Sequence, residues 1–260
     1  MIRSENVDNP ILLFVHGGPG TSQLTLMRNN TQPIERHFTV VNWNQRGAGK
    51  SYDAASDRSR MHMDQFVSDL IELTRYLEQR FDKKKITLVG HSWGSAIGLL
   101  AASNRPDLFN ASVGIGQVSI MAESERISSD WTLRQAEAAN DRDSMAKLKE
   151  IGPPSYTGEW RSKSMTQRRI LGAYGGEYHG SNGGAFGVVI KNLVFSTEHT
   201  LIDRINFFRG SFDSVDLLLP ELLDVNFFAQ VPQLTYRCGS CWAGMTTKCP
   251  PCCRSSTSTR

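Results

Sequence analysis

One segment constrains the fold of this chain more than any other. An apolar run, Ile86-Thr87-Leu88-Val89, leads directly into Gly90-His91-Ser92-Trp93-Gly94, and small and apolar residues follow over 95–102. A strand, a tight turn at G-x-S-x-G and a departing helix form a nucleophile elbow, in which glycines allow the close packing and the serine projects from the tip. Ser92 is therefore the candidate nucleophile, with Gly90 and Gly94 as the structural glycines. The alternative interpretation is a glycine- and serine-rich loop without chemistry.

Further apolar runs predict the strands that accompany this elbow. They lie at 11–15, 38–41 and 112–115. Between the second of them and the elbow, a helical spacing of three and four joins Phe66, Leu70, Leu73, Leu77 and Phe81. Such alternation of buried strands and amphipathic helices predicts an α/β fold with a mostly parallel, doubly wound sheet.

The character of the sequence changes after Gln117. Helical patterning continues over 129–151, with Ser129 or Asp130 as its expected N-cap, and glycine-rich turns and short mixed segments follow. This pattern favours a lid of helices above the serine. The predicted parts are the first part of an α/β core over 1–117, a helical cap over 118–230, and an aberrant cysteine-rich tail over 231–260 that replaces the rest of the core.

Composition excludes several classes of protein. Hydrophobic residues make up 39% of the 260 residues and charged residues 21%, which is typical of a globular chain. The net charge is +3, but four basic residues beyond residue 234 carry +4, so the preceding chain carries −1. We therefore expect no nucleic-acid partner. No apolar run reaches the length of a membrane span and the first residues do not form a signal peptide, so we expect a cytoplasmic protein without a membrane partner.

Two further motifs follow predicted strands. The first is His16-Gly17-Gly18-Pro19-Gly20, whose glycines let backbone N–H groups approach a substrate oxygen while Pro19 stiffens the turn. We assign the two oxyanion donors to the N–H groups of Gly18 and Trp93; the alternative is a purely structural turn. The second is Trp43-Asn44-Gln45-Arg46-Gly47-Ala48-Gly49-Lys50-Ser51, in which Arg46 is expected to anchor the loop through backbone carbonyls.

These three motifs, in this order and spacing, resemble the proline iminopeptidase (prolyl aminopeptidase) branch of the α/β-hydrolase family. The similarity covers residues 1–235 and is strongest over 9–118. It implies an α/β-hydrolase fold with a helical cap, Ser92 as nucleophile, and no cofactor or metal. Members of this branch release an N-terminal residue, often proline, from short peptides, and acidic cap residues hold the free amine. Glu159 and Glu177 are the candidates for that role here.

The resemblance leaves the substrate open. The wider branch also contains hydrolases of other amides and esters, so the expected substrate is a small peptide or a small amide or ester. One departure from the branch is Asn44, where its members usually carry aspartate. A general esterase or amidase and a catalytically inactive binding protein remain as alternative functions, and the oligomeric state is not predicted.

The family pattern breaks where the triad acid and histidine are expected. In this fold both follow the serine, the acid after a strand of the form V-P-V-x-F-x-x-G-x-x-D-x-x-x-P. Here Val231-Pro232-Gln233-Leu234 introduces the strand, but the next residues are neither apolar nor periodic. None of the six histidines fits the position of the base. His16 and His91 belong to motif loops, and His37 and His62 flank sheet elements before the serine. His179 and His199 lie in the cap, where we expect surface histidines. We therefore expect impaired activity, with a cap histidine as the alternative base.

The genetic code suggests an origin for this break. Read from the third letter of each codon, Trp242-Ala243 must yield glycine and Met245-Thr246 must yield aspartate, which matches the family's G-x-x-D spacing. Our hypothesis is that about the last 26 residues are out of frame. The chain also resembles a clipped version of the family at its start, because Met1-Ile2-Arg3 resembles the end of a strand. We accordingly expect a core of four parallel strands that lacks the last two.

The cysteines bear on the same hypothesis. All five lie within the last 23 residues, where Cys238-x-x-Cys241 and Cys249-x-x-Cys252 have the spacing of a four-thiolate zinc site, followed by Cys253. An out-of-frame tail would make these cysteines accidental, so we predict no metal. The alternative is a zinc-dependent interaction module at the carboxyl end.

Overall fold

The computed structural model describes residues 1–154, 159–177, 184–231 and 237–241. Six strands form one sheet in the order β1-β3-β2-β4-β5-β6. Strand β1 is antiparallel to β3, and the other neighbours are parallel. The strands are β1 Ile2–Arg3, β2 Ile11–Val15, β3 Thr39–Trp43, β4 Ile86–His91, β5 Phe109–Ile115 and β6 Arg237–Cys241. The α/β fold with a mostly parallel sheet is thereby confirmed.

The helices divide between the sheet and the cap. Helices α2 and α3 pack against each other beside the sheet, and α4, α5, α6 and α8 contact one another above it. The helices are α1 Leu24–Asn30, α2 Met63–Phe81, α3 Trp93–Asn104, α4 Met121–Ala138, α5 Arg142–Ile151, α6 Trp160–Ala173, α7 Gly184–Val194, α8 Leu201–Leu223 and α9 Phe227–Gln230. In the described part of the chain, none of these helices combines the length and apolarity that a membrane crossing requires.

The hydrophobic core contains the strand and the helix that the apolar residues of the sequence predict. Every residue of β2 is buried, because helices cover both faces of a parallel sheet. The predicted amphipathic helix is α2, which buries Phe66, Leu70 and Leu77 and begins after His62, whose ring accepts a hydrogen bond from the Gln65 N–H. Full burial of such a side chain stabilises the fold by about 1.5–3 kcal/mol. Phe66 also packs edge-on against Trp93, with ring centroids 5.6 Å apart, and so joins the core to the elbow.

The expectation of four parallel strands is wrong. Strand β6 pairs in parallel with β5 over five residues, from Ala111 opposite Arg237 to Ile115 opposite Cys241, so the parallel part of the sheet has five strands. Strand pairing uses backbone groups, and an open edge at β5 accepts an extended segment without an apolar pattern. The sequence pattern therefore missed strand β6, which forms by backbone pairing with the edge of β5.

The cap helices also differ from the predicted boundaries. Helix α4 begins at Met121, so Ser129 and Asp130 lie inside it rather than at its N-cap. A second helix, α5, begins after Asp141, whose side chain accepts a hydrogen bond from the Ser144 N–H. The preceding Asn140 has φ 52°, a left-handed conformation that asparagine tolerates and that ends the first helix.

Candidate active site

Ser92 lies on a strained turn between β4 and α3. Its φ is 50° and its ψ is −120°, a conformation that costs about 1–3 kcal/mol and persists only where the surroundings impose it. A Cβ at Gly90 would lie 2.5 Å from the carbonyl oxygen of Gly94, and a Cβ at Gly94 would lie 2.1 Å from that of Val15. Glycine is therefore required at both positions, and the turn has the geometry of a nucleophile elbow.

The loop after β2 lies directly against this elbow. A Cβ at Gly17 would come within 3.1 Å of the Ser92 Cβ, and Gly18 has φ 121°, which favours glycine. Gly18 and Ser92 line the same cavity. Trp93 is the first residue of α3, where backbone N–H groups have no intrahelical acceptor and the helix dipole is positive. The sequence-predicted oxyanion residues are thus adjacent to the serine.

Gln45 joins the two loops that carry these N–H groups. Its side chain is fully buried, and its Nε2 donates to the backbone carbonyl of His16 at 2.7 Å. Its Oε1 accepts a hydrogen bond from the indole Nε1 of Trp93 at 2.9 Å. Sequence reasoning missed the role of this residue, although a glutamine two residues after a mostly buried strand indicates that it has hydrogen-bond partners.

The same network determines the state of His16. The Gln45 backbone N–H donates to His16 Nε2 at 3.2 Å, so the proton of the neutral ring is on Nδ1, 2.8 Å from the Gly17 carbonyl oxygen. Burial lowers the pKa of His16 to about 4, since a charged ring would lose its hydration. His16 is therefore a neutral structural member of the loop.

His91 and His199 are also engaged away from the serine hydroxyl. His91 Nδ1 lies 2.9 Å from the Gln23 side-chain nitrogen, and burial lowers its pKa. His199 is buried, with its Nδ1 3.0 Å from Ser196 Oγ, so the expectation of a surface histidine is wrong there. The ring lies against Thr25 of α1 and Ser196, and such a contact is not revealed by periodicity. His179 lies outside the described residues. Within the described ranges, no histidine ring hydrogen-bonds the Ser92 hydroxyl.

Arg46 anchors its loop differently from the prediction. Its Nε and Nη2 donate to the two carboxylate oxygens of Asp69 at 2.9 and 2.8 Å, and Gln65 donates to the same carboxylate. The expected hydrogen bonds to backbone carbonyls are therefore replaced by a bidentate ion pair with α2. A carboxylate matches the planar guanidinium better than separate carbonyls do. The role of Arg46 is to fix the loop that contains Gln45.

A cavity of about 460 Å³ lies between Ser92 and the cap. Its floor includes Gly18 and Pro19, and helices α4, α6 and α8 contribute its walls and roof. Its apolar side chains are Val118 before α4, Met121 of α4, Trp160 of α6, and Val215, Leu219 and Leu222 of α8. Its polar residues are Gln117, Ser124, Glu125, Ser164 and Arg168. A mostly apolar cavity with a few polar groups is typical of a small-molecule site.

Glu125 is the carboxylate that the structure places in this cavity. Its side chain is 9% exposed and forms an ion pair with Arg168, whose Nη1 donates to Ser128 Oγ at 3.2 Å. Glu159 is exposed at the N-cap of α6 and does not line the cavity, and Glu177 lines a neighbouring one. Sequence reasoning missed Glu125, although it shares a buried helix face with Thr132 and Ala136 at spacings of seven and four.

The described residues contain no group of three or more histidine, cysteine or carboxylate residues that could hold a metal ion. Cys238 and Cys241 lie in β6, and Cys249, Cys252 and Cys253 lie outside the described residues. The zinc alternative and the frameshift hypothesis therefore stay predictions.

Comparison with known proteins identifies the family. A family model described as the alpha/beta hydrolase fold matches residues 10–145. The protein named "Probable aminopeptidase YbaC" of Bacillus subtilis (strain 168) is 32% identical over 92% of this chain and 74% of its own length. A proline iminopeptidase of Heyndrickxia coagulans is 28% identical over 39% of this chain and 33% of its own length.

A solved structure shows the same fold. The crystal structure of VinJ superposes with a TM-score of 0.60 at 16% identity, covering 92% of this chain and 75% of that one. This likeness concerns the fold alone, and the sequence relatives narrow the assignment within that fold. The chain belongs to the α/β-hydrolase fold family and is a proline iminopeptidase-like hydrolase.

Proposed function

We propose that this chain is a serine hydrolase of the aminopeptidase type, in which Ser92 is the nucleophile. The observation that carries the proposal is the strained elbow: Ser92, at φ 50°, lines one cavity together with Gly18. In the proposed reaction, Ser92 Oγ attacks the carbonyl carbon of the first residue, and the N–H groups of Gly18 and Trp93 hold the resulting oxyanion. Collapse of the oxyanion breaks the peptide C–N bond; the Ser92 proton passes to water, and the leaving amine takes a proton from water. A second water molecule then hydrolyses the acyl-serine ester and restores the Ser92 hydroxyl.

Glu125 is the proposed recognition group for the substrate's free amine. Its carboxylate lines the cavity above Ser92, and the apolar side chains of Met121, Leu219 and Leu222 provide a wall for a proline ring or a similar side chain. The names of the relatives, an aminopeptidase and a proline iminopeptidase, support N-terminal proline as the first substrate to examine. The proposed substrates are short peptides with a free N-terminal residue.

The proposed activity is weak in this chain. Among the described residues, no histidine ring hydrogen-bonds the Ser92 hydroxyl, so none of them serves as its base. Removal of a triad member leaves roughly 10³–10⁴-fold catalysis over water, supplied by the oxyanion hole and by binding. We therefore propose turnover that is slow but dependent on Ser92.

A second candidate, a general esterase or amidase, has one observation in its favour. The ion pair with Arg168 already compensates the charge of Glu125, and a neutral acyl group would leave this pair intact. Hydrolysis of proline p-nitrophenyl ester and of its N-acetylated form distinguishes the two functions, with Ser92→Ala as the background. An aminopeptidase prefers the free amine, and Glu125→Gln reduces that preference. Equal rates for the two esters would support the general esterase, and no Ser92-dependent rate would support a binding protein.

A further inference from the structure

A second and larger cavity adjoins the one above Ser92. Its volume is about 980 Å³, and it lies among α6, α7 and α8. The two cavities share three lining residues, namely Gly18, Ser164 and Arg168. The larger cavity is mainly apolar, and its principal side chains are Met165, Val189, Phe207, Phe208 and Phe212.

The shared residue Gly18 determines how a substrate would occupy both cavities. The proposed function places the scissile carbonyl between Ser92 and the N–H of Gly18. One part of the substrate then lies in the smaller cavity beside Glu125, and the other continues past Gly18 into the larger one. Because the amine lies beside Glu125, the part beyond Gly18 is the leaving group.

Charge at the larger cavity indicates the end group of that leaving group. Arg168 lies on the border of the two cavities, and Arg169 lies in the lining of the larger one, where Glu177 is the carboxylate. Arginine forms charge-assisted hydrogen bonds with carboxylates. The lining therefore favours an apolar side chain together with an anionic group near the border.

We propose that the larger cavity is a leaving-group subsite for a large apolar or aromatic residue with a free carboxylate. The substrate class is then dipeptides in which a bulky apolar residue follows the N-terminal one. This inference rests on the proposed function for the position of the scissile carbonyl, whereas the cavity itself is observed independently of that function.

The test is equilibrium binding of dipeptides to the full chain carrying Ser92→Ala, measured by calorimetry. The ligands are Pro-Gly, Pro-Leu, Pro-Phe, Pro-Phe amide and N-acetyl-Pro-Phe. We expect Pro-Phe to bind roughly 10- to 100-fold more tightly than Pro-Gly, because its ring is removed from water. We expect the amide to bind more weakly than Pro-Phe.

Two added variants locate the effect. Phe212 is 45% exposed at the rim, so Phe212→Ala preserves the fold and should weaken Pro-Phe binding while sparing Pro-Gly. Ala173→Trp, which fills the same cavity, should act in the same direction. The matched control is Phe195→Ala, because Phe195 is 77% exposed on the cap and lines a different cavity.

The outcomes separate the subsite from the proposed function. Equal affinity for Pro-Gly and Pro-Phe, or loss of the preference in Phe195→Ala as well, overturns the subsite. Equal affinity for Pro-Phe and its amide overturns the carboxylate requirement. If N-acetyl-Pro-Phe binds as well as Pro-Phe while the preference for phenylalanine persists, the aminopeptidase function fails and the subsite stands. Absence of binding by every peptide overturns both.

Discussion

Replacement of Gln45 by methionine tests how the oxyanion loops are held. Methionine fills a similar volume but removes both side-chain hydrogen bonds, so the His16 carbonyl and the Trp93 indole N–H become buried without partners. Each unsatisfied group costs about 1–3 kcal/mol, and the free energy of unfolding should fall by about 2–6 kcal/mol. In a chain of this size, that loss lowers the melting temperature by roughly 5–20 °C.

A double-mutant cycle makes this prediction specific. Trp93→Phe removes the indole N–H and leaves the Gln45 oxygen unpaired, whereas in the double variant neither partner of that bond remains. The double variant should therefore lose less stability than the sum of the single variants, with a coupling energy of at least about 1 kcal/mol. Urea unfolding of the four proteins measures the coupling. Additivity within about 0.5 kcal/mol would refute the reasoning.

The residual rate is a second readout for Gln45. Loss of one oxyanion donor costs about 10²–10³-fold in kcat, so displacement of the loops should slow Ser92-dependent ester hydrolysis by roughly tenfold or more. A residue that only fills space would change stability and leave the rate per folded molecule unchanged. An unchanged rate in Gln45→Met would therefore contradict the positioning role.

Three further predictions follow from the same site. Gly94→Ala places a Cβ 2.1 Å from a β2 carbonyl oxygen, so urea unfolding should show a loss of stability of more than about 3 kcal/mol. The control is Gly187→Ala, whose Cβ meets nothing within 4 Å and which should not cause this loss. Because the pKa of His16 is lowered to about 4 in the folded chain, the unfolded chain binds a proton on this ring at a higher pH than the folded chain does. The free energy of unfolding should therefore fall as the pH drops from about 6.5 to about 4. Urea unfolding of His16→Asn should lack this part of the pH dependence. Arg46→Ala leaves the half-buried Asp69 carboxylate without its bidentate partner, so it should lower both the stability and the residual rate. Arg46→Lys should restore the stability only in part, because lysine cannot form the bidentate pair. Equal stability of Arg46→Lys and the wild type would contradict this account.

Local patterns predicted the central part of the fold, and contacts distant in sequence decided the rest. The strand, the glycines and the helix around Ser92 are contiguous, so their packing could be predicted from one short segment. The position of Glu125 in the cavity depends on how α4 meets α6, which no local pattern encodes. Strand β6 depends likewise on the open edge of β5, because its pairing uses backbone groups rather than side-chain type.

The polar partners were the hardest part of the site to predict. Arg46 was expected to bind carbonyls, yet its partner Asp69 is 23 residues away on α2. Gln45 bonds to a residue 48 positions further along the chain. Hydrogen bonds of this kind follow from the assembled fold, and a buried polar side chain within a motif indicates only that some partner exists.

The central claim is that Ser92 is an acyl-accepting nucleophile, and intact-protein mass spectrometry tests it most directly. Proline p-nitrophenyl ester has a leaving group that needs no general acid, and hydrolysis of the acyl-enzyme needs the base that the described residues do not supply to Ser92. We therefore predict that the intact mass of the unsubstituted chain increases by a single prolyl group and that the mass of Ser92→Ala does not change. No adduct under these conditions, or an adduct that survives in Ser92→Ala, would contradict the account.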